Sequence, residues 1–253
     1  MHGTLIFIYL LLGGFLGGLA ATLVSMASLV TYPILLSIGI PPVFANTTDD
    51  AAFIWNGLGS TMAATKQLKG HYKKAIGFSI LAIIGSAIGC VLLLHFPAKV
   101  FEKVVPFCLL LSGILVLVAG NGKFKIHNHA GKFAKFMSFL AIMVTGLYGG
   151  YFGAASGVLM LAILEFVMDD DFLTVNAVRN IVNCASDGTA FVIYAFASKI
   201  YWLQAIPLAI GILIGSYVGV KLLGKIPEML IKVVTAILAF GQAGYFFYTA
   251  FIK

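Results

Sequence analysis

The chain has one arginine, three cysteines and few charges, with charged residues making up only 10% of its 253 positions. Soluble domains carry about 25% charged and about 45–50% apolar residues. Here 61% are hydrophobic and the mean hydropathy is +1.05. That balance excludes a water-soluble domain and leaves an integral membrane protein. The apolar runs repeat at about 20 residues, the length of a helical span, whereas barrel strands would alternate over about 10. The expected class is an all-α integral membrane protein in which one membrane domain fills the chain.

Other absences narrow the function. Cys90, Cys108 and Cys184 stand alone in apolar runs without metal-ligand spacing and read as small core residues. No nucleophile is paired with a base, and there is no phosphate-binding Walker loop and no pair of zinc ligands. An enzyme, an ATP-driven pump, a metal centre and a cofactor are therefore not expected. No basic patch with interleaved aromatics points to nucleic acid. The formal charge of +7 comes from lysines between apolar runs, where they orient helices and meet anionic lipid. The start, "MHGTLIFIYLLLGGFLGGLAATL", lacks a basic n-region and a convincing cleavage site, so the first segment is read as part of the fold.

What the sequence does have is internal similarity. "IGSAIGCVLLLHFPAKVFEKVV" (84–105) aligns without gaps to "IGSYVGVKLLGKIPEMLIKVVT" (214–235). "PVFANTTDDAAFIWNG" (42–57) falls on "TVNAVRNIVNCASDGT" (174–189), and "LVSMASLVTYP" (23–33) on "YFGAASGVLML" (151–161). The expected organisation is a first transmembrane repeat at 1–120, a basic cytoplasmic linker at 121–132 and a second repeat at 133–253. Each repeat divides into five apolar stretches, roughly 4–24, 26–40, 43–65, 75–96 and 100–119, then 133–152, 154–168, 172–197, 201–223 and 229–250.

The second stretch of each repeat has about 15 residues, short of the ~20 of a straight span. Ten crossing segments imply inverted halves, as in many secondary transporters; eight spans with broken helices imply parallel halves. Lys66, Lys69, Lys73 and Lys74, with Lys123, Lys125, Lys132 and Lys135, mark inside loops either way. The inverted arrangement also brings Lys221, Lys225 and Lys232 inside and is favoured. Gly85/Gly89 and Gly215/Gly219 are small-xxx-small pairs. They are read first as packing within the subunit, with a homodimer contact as the alternative.

Polar residues recur on two of these segments. Asn176, Asn180, Asn183 and Asp187 follow i, i+4, i+7, i+11 and share a helix face bordered by Arg179. Asn46, Asp49, Asn56 and Ser60 form a similar stripe in the first repeat, with Thr47, Thr48 and Asp50 around it. A charge at the centre of a membrane helix costs about 2.5–3.5 kcal/mol on insertion scales, so these groups face the bundle interior or a wet cavity. One reading makes Arg179 the partner of Asp187 or Asp49 in a structural ion pair, with the amides as interhelical glue.

The functional reading gives Arg179 the oxygens of a carboxylate, sulfonate or phosphate, which match its planar fork of donors. Asn180, Asn183, Asn46, Asn56, Thr47 and Thr48 supply neutral contacts. Asp187, Asp49 and Asp50 are candidates to carry a coupling proton or cation. The breaks "SMAS" and "GGYFGAASG" would bring half-helix N-termini, with Ser28, Ser156 and Gly157, beside the anion. "HNH" (127–129) reads as a solvated loop, His71 and His95 as interfacial, and Glu165 as interfacial or cavity-lining.

The Gly-rich break before Pro33, "GIPPVFANTT" (39–48), "GLYGGYFGAASG" (146–157), "NAVRN" (176–180) and the paired "IGSxxG" segments together resemble the sulfite exporter TauE/SafE family over nearly the whole chain. The resemblance implies a multi-pass transporter of a bacterial-type inner or plasma membrane. It would move sulfite, an organosulfonate or a related small anion, mostly outward, with that solute and the lipid bilayer as its partners. By position it implies a site at Ser25 to Ser28, Asn46 to Asp49, Gly153 to Gly157 and Arg179 to Asn183. Two departures stand out: "SMAS" replaces the family's G-x-G-G-G run, and Asp49-Asp50 follow the threonines. The extra acid groups keep a second function open, a carrier or channel for a cation or polar metabolite that uses the intramembrane aspartates.

Overall fold

A computed structural model of the chain describes residues 2–95, 132–153 and 156–251, with scattered positions between 106 and 117. The described residues form ten helices: α1 (His2–Leu23), α2 (Ser28–Ser37), α3 (Pro42–Ala63), α4 (Thr65–Leu68), α5 (Tyr72–His95), α6 (Lys132–Phe152), α7 (Ser156–Val167), α8 (Phe172–Ala197), α9 (Trp202–Leu223) and α10 (Glu228–Phe251). By length and composition, stretches of α1, α5 and α9 (Gly3–Leu23, Tyr72–Leu92 and Trp202–Leu223) can cross a membrane. Their outer faces are apolar stripes at helical spacing, such as Ile76, Ile80, Ile84 and Ile88 on α5, all exposed on the isolated chain. Such a stripe is stable only against lipid or another apolar surface. The first repeat's fifth stretch lies largely, and the linker's "HNH" wholly, outside the described residues; so do Cys108 and the side chain of His95.

Glycine decides which helices touch. A Cβ on Gly85 would sit 2.0 Å from the carbonyl oxygen of Met143, and one on Gly89 2.1 Å from that of Leu147. On α9, a Cβ on Gly215 would meet the Phe15 oxygen at 2.1 Å and one on Gly219 would press on Thr22. The backbones of α5 and α6, and of α1 and α9, are therefore in direct contact, as small residues permit in lipid. Both glycine pairs pack inside the subunit. Contacting positions rise together along each pair, so each pair runs parallel.

The polar helices α3 and α8 cross antiparallel at the centre: Gly57 abuts Cys184, while Thr47 near the start of α3 donates to the Lys199 oxygen beyond the end of α8 at 3.0 Å. Pro42 occupies the first turn of α3, where its missing N–H costs nothing. Asp171 caps α8 by accepting from the Thr174 amide at 3.2 Å.

The two short helices differ from the spans. At 1.5 Å per residue, the 10 residues of α2 rise about 15 Å and the 12 of α7 about 18 Å. Each is long enough to cross only about half of a ~30 Å hydrocarbon layer. The breaks before them turn on Ser25, at φ 60°, and Gly153, at φ 72°, the two positions that the sequence alignment pairs. After its break α2 folds back along α1, with Thr31 against Gly17 and Ser37 within 3.1 Å of Tyr9.

Two ionic clusters converge on the link between α7 and α8. Lys232, on α10, is 3% exposed and lies 2.7 Å from Glu165 and 2.5 Å from Glu228. Its ammonium also stands 5.1 Å from the Phe172 ring. Burying a charge is tolerable when it is paired this closely, and Glu165 is thereby a structural partner. Asp170 accepts from Lys74 at 3.0 Å and contacts His71 at 2.9 Å. The starts of α5, α8 and α10 therefore lie at one end of the bundle, which carries exposed Lys66, Lys69, Lys73, Lys221 and Lys225.

Burial opposes the charge of Asp170, but hydrogen bonds from Lys74 and His71 outweigh it and hold the carboxyl below its usual range. A depressed carboxyl stabilises the fold above its unfolded pKa, about 3.9, and loses that contribution as pH falls through the folded value. Thermal melts of purified wild type and Asp170→Asn should differ by at most about 1 kcal/mol at pH 7, and the gap should close below about pH 4. The helix crossings give a harsher test. Gly85→Leu should remove the monodisperse peak in size-exclusion chromatography, whereas Gly77→Ala, with open space around it, should elute as wild type.

Candidate anion-binding site

Arg179 lies in the third turn of α8 and is 1% exposed. Its Nη2 donates to Asn180 Oδ1 at 2.6 Å, both terminal nitrogens donate to the Ala21 carbonyl at 3.3 Å, and Nη1 donates to the Ser25 hydroxyl. These acceptors are neutral. Among the described residues no carboxylate pairs with Arg179 within 4.0 Å, and its Nε has no partner. The anticipated clasp with Asp187 or Asp49 is absent there because the guanidinium is turned toward the end of α1 and the break at Ser25. It is held in orientation without being neutralised.

The guanidinium lies on the wall of a cavity of about 50 Å³ between α1, α2, α3, α7 and α8. A cavity needs about 10–15 Å³ to hold one water, so this one suits a small water cluster or an anion of a few heavy atoms. Ser25, Ala27 and Ser28 from the first break line it opposite Gly153, Ser156 and Gly157 from the second. The N-termini of α2 and α7 thus open on the same space, and no side chain caps that of α2. Helix N-termini present N–H groups and a positive dipole end of about half a charge. Asn183, Asn56, Asp50 and Asp187 complete the polar wall, with Ala21 and Phe53 beside them.

The other anticipated residues stand around the cavity in different ways. Asn46 donates to Asp50 at 3.3 Å and so steadies a wall residue. Thr47 donates to backbone oxygens of Lys199 and Phe44, and Thr48 accepts from the Tyr201 amide at 3.1 Å. These hydroxyls tie α3 to the α8–α9 link. Asp49, 2% exposed, accepts from Thr31 at 3.0 Å on the side of α3 that faces α2. Asn180 lines a second, smaller pocket with Asn176.

Ala21 and Phe53 were not anticipated. An alanine and a phenylalanine among many give no signal in sequence, and only the packing of α1 and α3 brings them to the wall. Among the described residues no group of three or more His, Cys, Asp or Glu side chains is placed to hold a metal ion.

The wall thus combines serines, amides, Arg179 and two helix N-termini with the carboxyl groups of Asp50 and Asp187. Residues 10–246 match the family described as Sulfite exporter TauE/SafE. A probable membrane transporter protein of Haemophilus influenzae is 22% identical over 230 residues, covering 90% of this chain and 89% of that protein. The probable membrane transporter protein ORF9 of a Sinorhizobium species is 22% identical, covering 83% and 80%. The probable membrane transporter protein YfcA of Escherichia coli is 20% identical, covering 92% and 87%. No solved structure matches the chain. The chain belongs to the sulfite exporter TauE/SafE family and is a multi-pass membrane transporter of that type, not an enzyme.

Proposed function

We propose that the protein is a secondary transporter in the cell membrane that exports a small anion such as sulfite, an organosulfonate or a related carboxylate. One observation carries this reading: a buried arginine without a carboxylate partner among the described residues lines a polar cavity on which two half-helix N-termini open. A guanidinium offers parallel donors to two oxygens of such an anion. The small volume favours sulfite-sized solutes or the headgroup of a longer sulfonate.

Charge balance favours coupling to protons. Asp50 and Asp187 share the cavity with Arg179, so an anion arriving alone would add negative charge beside two carboxyl groups. Unit charges 4 Å apart interact by about 4 kcal/mol at an effective dielectric of about 20. A proton travelling with the anion offsets that repulsion and turns an acceptor into a donor.

Alternating access needs two halves that can rock about a shared site, and we read the chain as inverted repeats at 1–120 and 133–253 joined by the basic segment 121–132. Two observations support the inversion: the equivalent helices α3 and α8 run antiparallel, and Lys74 and Lys232 both reach the α7–α8 link at one end. Excess lysine there assigns that end to the cytoplasm.

Proteoliposomes loaded with sulfite or sulfoacetate test the reading. Wild type should release the anion. Arg179→Gln should cut the rate about 100-fold, corresponding to about 3 kcal/mol of charge-assisted bonding, while still eluting as a folded protein. Release that is unchanged in Arg179→Gln would sink the anion site, and flux of sodium or potassium without any anion would favour a cation carrier built on the aspartates. In a second experiment, stimulation of wild-type release by an imposed pH gradient should disappear in Asp187→Asn. A variant that still follows the gradient would remove Asp187 from the coupling.

A further inference from the structure

Both signs of charge line the main cavity, and they are sorted to opposite ends of it. Arg179, Asn183 and Asp187 form its α8 side, so the cavity follows that helix for about 12 Å. At one end the guanidinium is held by Ala21 and Ser25, and a Cβ on Gly157 would lie 3.1 Å from the Ser25 oxygen. Asp50 belongs to the other end. The antiparallel crossing at Gly57 and Cys184 sets early residues of α3 beside late residues of α8. Asp50 Oδ1 would lie 3.4 Å from a Cβ on Gly153, and Gly150, one turn earlier, accepts from the Tyr194 hydroxyl at 2.6 Å. Tyr194 follows Asp187 by two turns of α8.

Neither end is neutralised by the chain. Among the described residues Arg179 has no carboxylate within 4.0 Å, Asp187 has no hydrogen-bond or ion-pair partner, and Asp50 is met by the neutral Asn46 amide at 3.3 Å. A buried guanidinium and two half-buried carboxyl groups thus share one space at a distance. A simple anion suits the first end and is repelled by the second, and a simple cation does the reverse. A molecule with both charges suits both.

We propose that the cavity takes small zwitterions as a further substrate class, with an acid group and an ammonium joined by a two- or three-carbon spacer. This rests on the anion-transport reading: Arg179 keeps the acid group, and the amine supplies the positive charge that a bare anion must bring as a proton. With a charge-assisted hydrogen bond of about 2.8 Å at each end, such a molecule bridges groups on the order of 10 Å apart. An ammonium has three donors and no acceptor, so it can serve Asp50 and Asp187 together. At 10–15 Å³ per water, a cavity of about 50 Å³ holds about three to five waters, the liquid volume that a two-carbon zwitterion displaces.

Calorimetric titration of the purified protein with three probes tests the class. These are 2-aminoethanesulfonate, which has both charges, ethanesulfonate, which lacks the amine, and ethylammonium, which lacks the acid. The Kd of 2-aminoethanesulfonate should be at least tenfold lower than that of either fragment. Asp187→Asn should weaken 2-aminoethanesulfonate at least fivefold while strengthening ethanesulfonate at least twofold, because the carboxyl attracts the first and repels the second. Damage to the fold would move both the same way. If Asp187→Asn does not elute as a folded protein, Asp50→Asn answers the same question. The zwitterion site is overturned if wild type binds ethanesulfonate as tightly as 2-aminoethanesulfonate, if it does not bind the latter, or if a folded variant shifts both probes in one direction.

Transport separates this site from the anion reading. Proteoliposomes should release both sulfite and 2-aminoethanesulfonate, and the second should slow release of the first at least threefold. Sulfite release with no exit of, and no competition from, 2-aminoethanesulfonate would leave the anion exporter standing and remove the zwitterion from its substrates. Release of no anion, with the tenfold binding preference intact, would sink the export reading and keep the site.

Discussion

A guanidinium that keeps its charge cannot be left in hydrocarbon, and in this chain no carboxylate among the described residues takes it up. Arg179 therefore needs three neutral acceptors from different parts of the chain. These are the last turn of α1 through Ala21, the break after it through Ser25, and its own helix through Asn180. Those bonds fix where α1 ends relative to α8. Arg179 is also among the residues that line the cavity. A buried ion pair would have removed both the charge and the space.

Close helix crossings make that geometry affordable. The glycines of α5 and α9 bring each helix onto a partner from the other half of the chain, α6 and α1 respectively. These four helices carry much of the exposed apolar surface and need little polarity inside. The polar pair, α3 and α8, is then surrounded, with α9 behind α3 and α5 behind α8. Shielded on those sides, α3 and α8 can carry amides and carboxyl groups that would be costly on an outer helix. The outer pairs form a frame, and chemistry is confined to the middle.

Much of this arrangement is legible in the sequence. The helical class follows from composition, and residues 172–197 are read correctly as one helix with a polar face. The shortness of the second stretch in each repeat is visible in the counts. Depth and rotation are not. Asn176, Asn180, Asn183 and Asp187 look like one stripe, yet α8 passes between two cavities. Its first two asparagines line one pocket, while Asn183 and Asp187 line the other. Spacing along a helix gives an angle, but which neighbour fills that angle changes every turn. Thr47 and Thr48 bond to the α8–α9 link, because a hydroxyl that suits an anion also suits a loop carbonyl or amide.

Ser25 shows how a left-handed turn can carry a side chain. The alignment of the two halves puts it opposite Gly153, and both adopt a left-handed backbone. For glycine that conformation is nearly free, whereas a residue with a Cβ is strained there by about 1–3 kcal/mol. The serine side chain returns something glycine cannot, a hydroxyl that accepts from Arg179, and a hydrogen bond to a charged group contributes about 1.5–3 kcal/mol. The two magnitudes are comparable, so the substitution is near neutral for the fold while it changes the site. Arg179 is thus tied to the end of α1 and to the break before α2. The first break is thereby linked through Ser25 to the charge that α8 presents to the cavity.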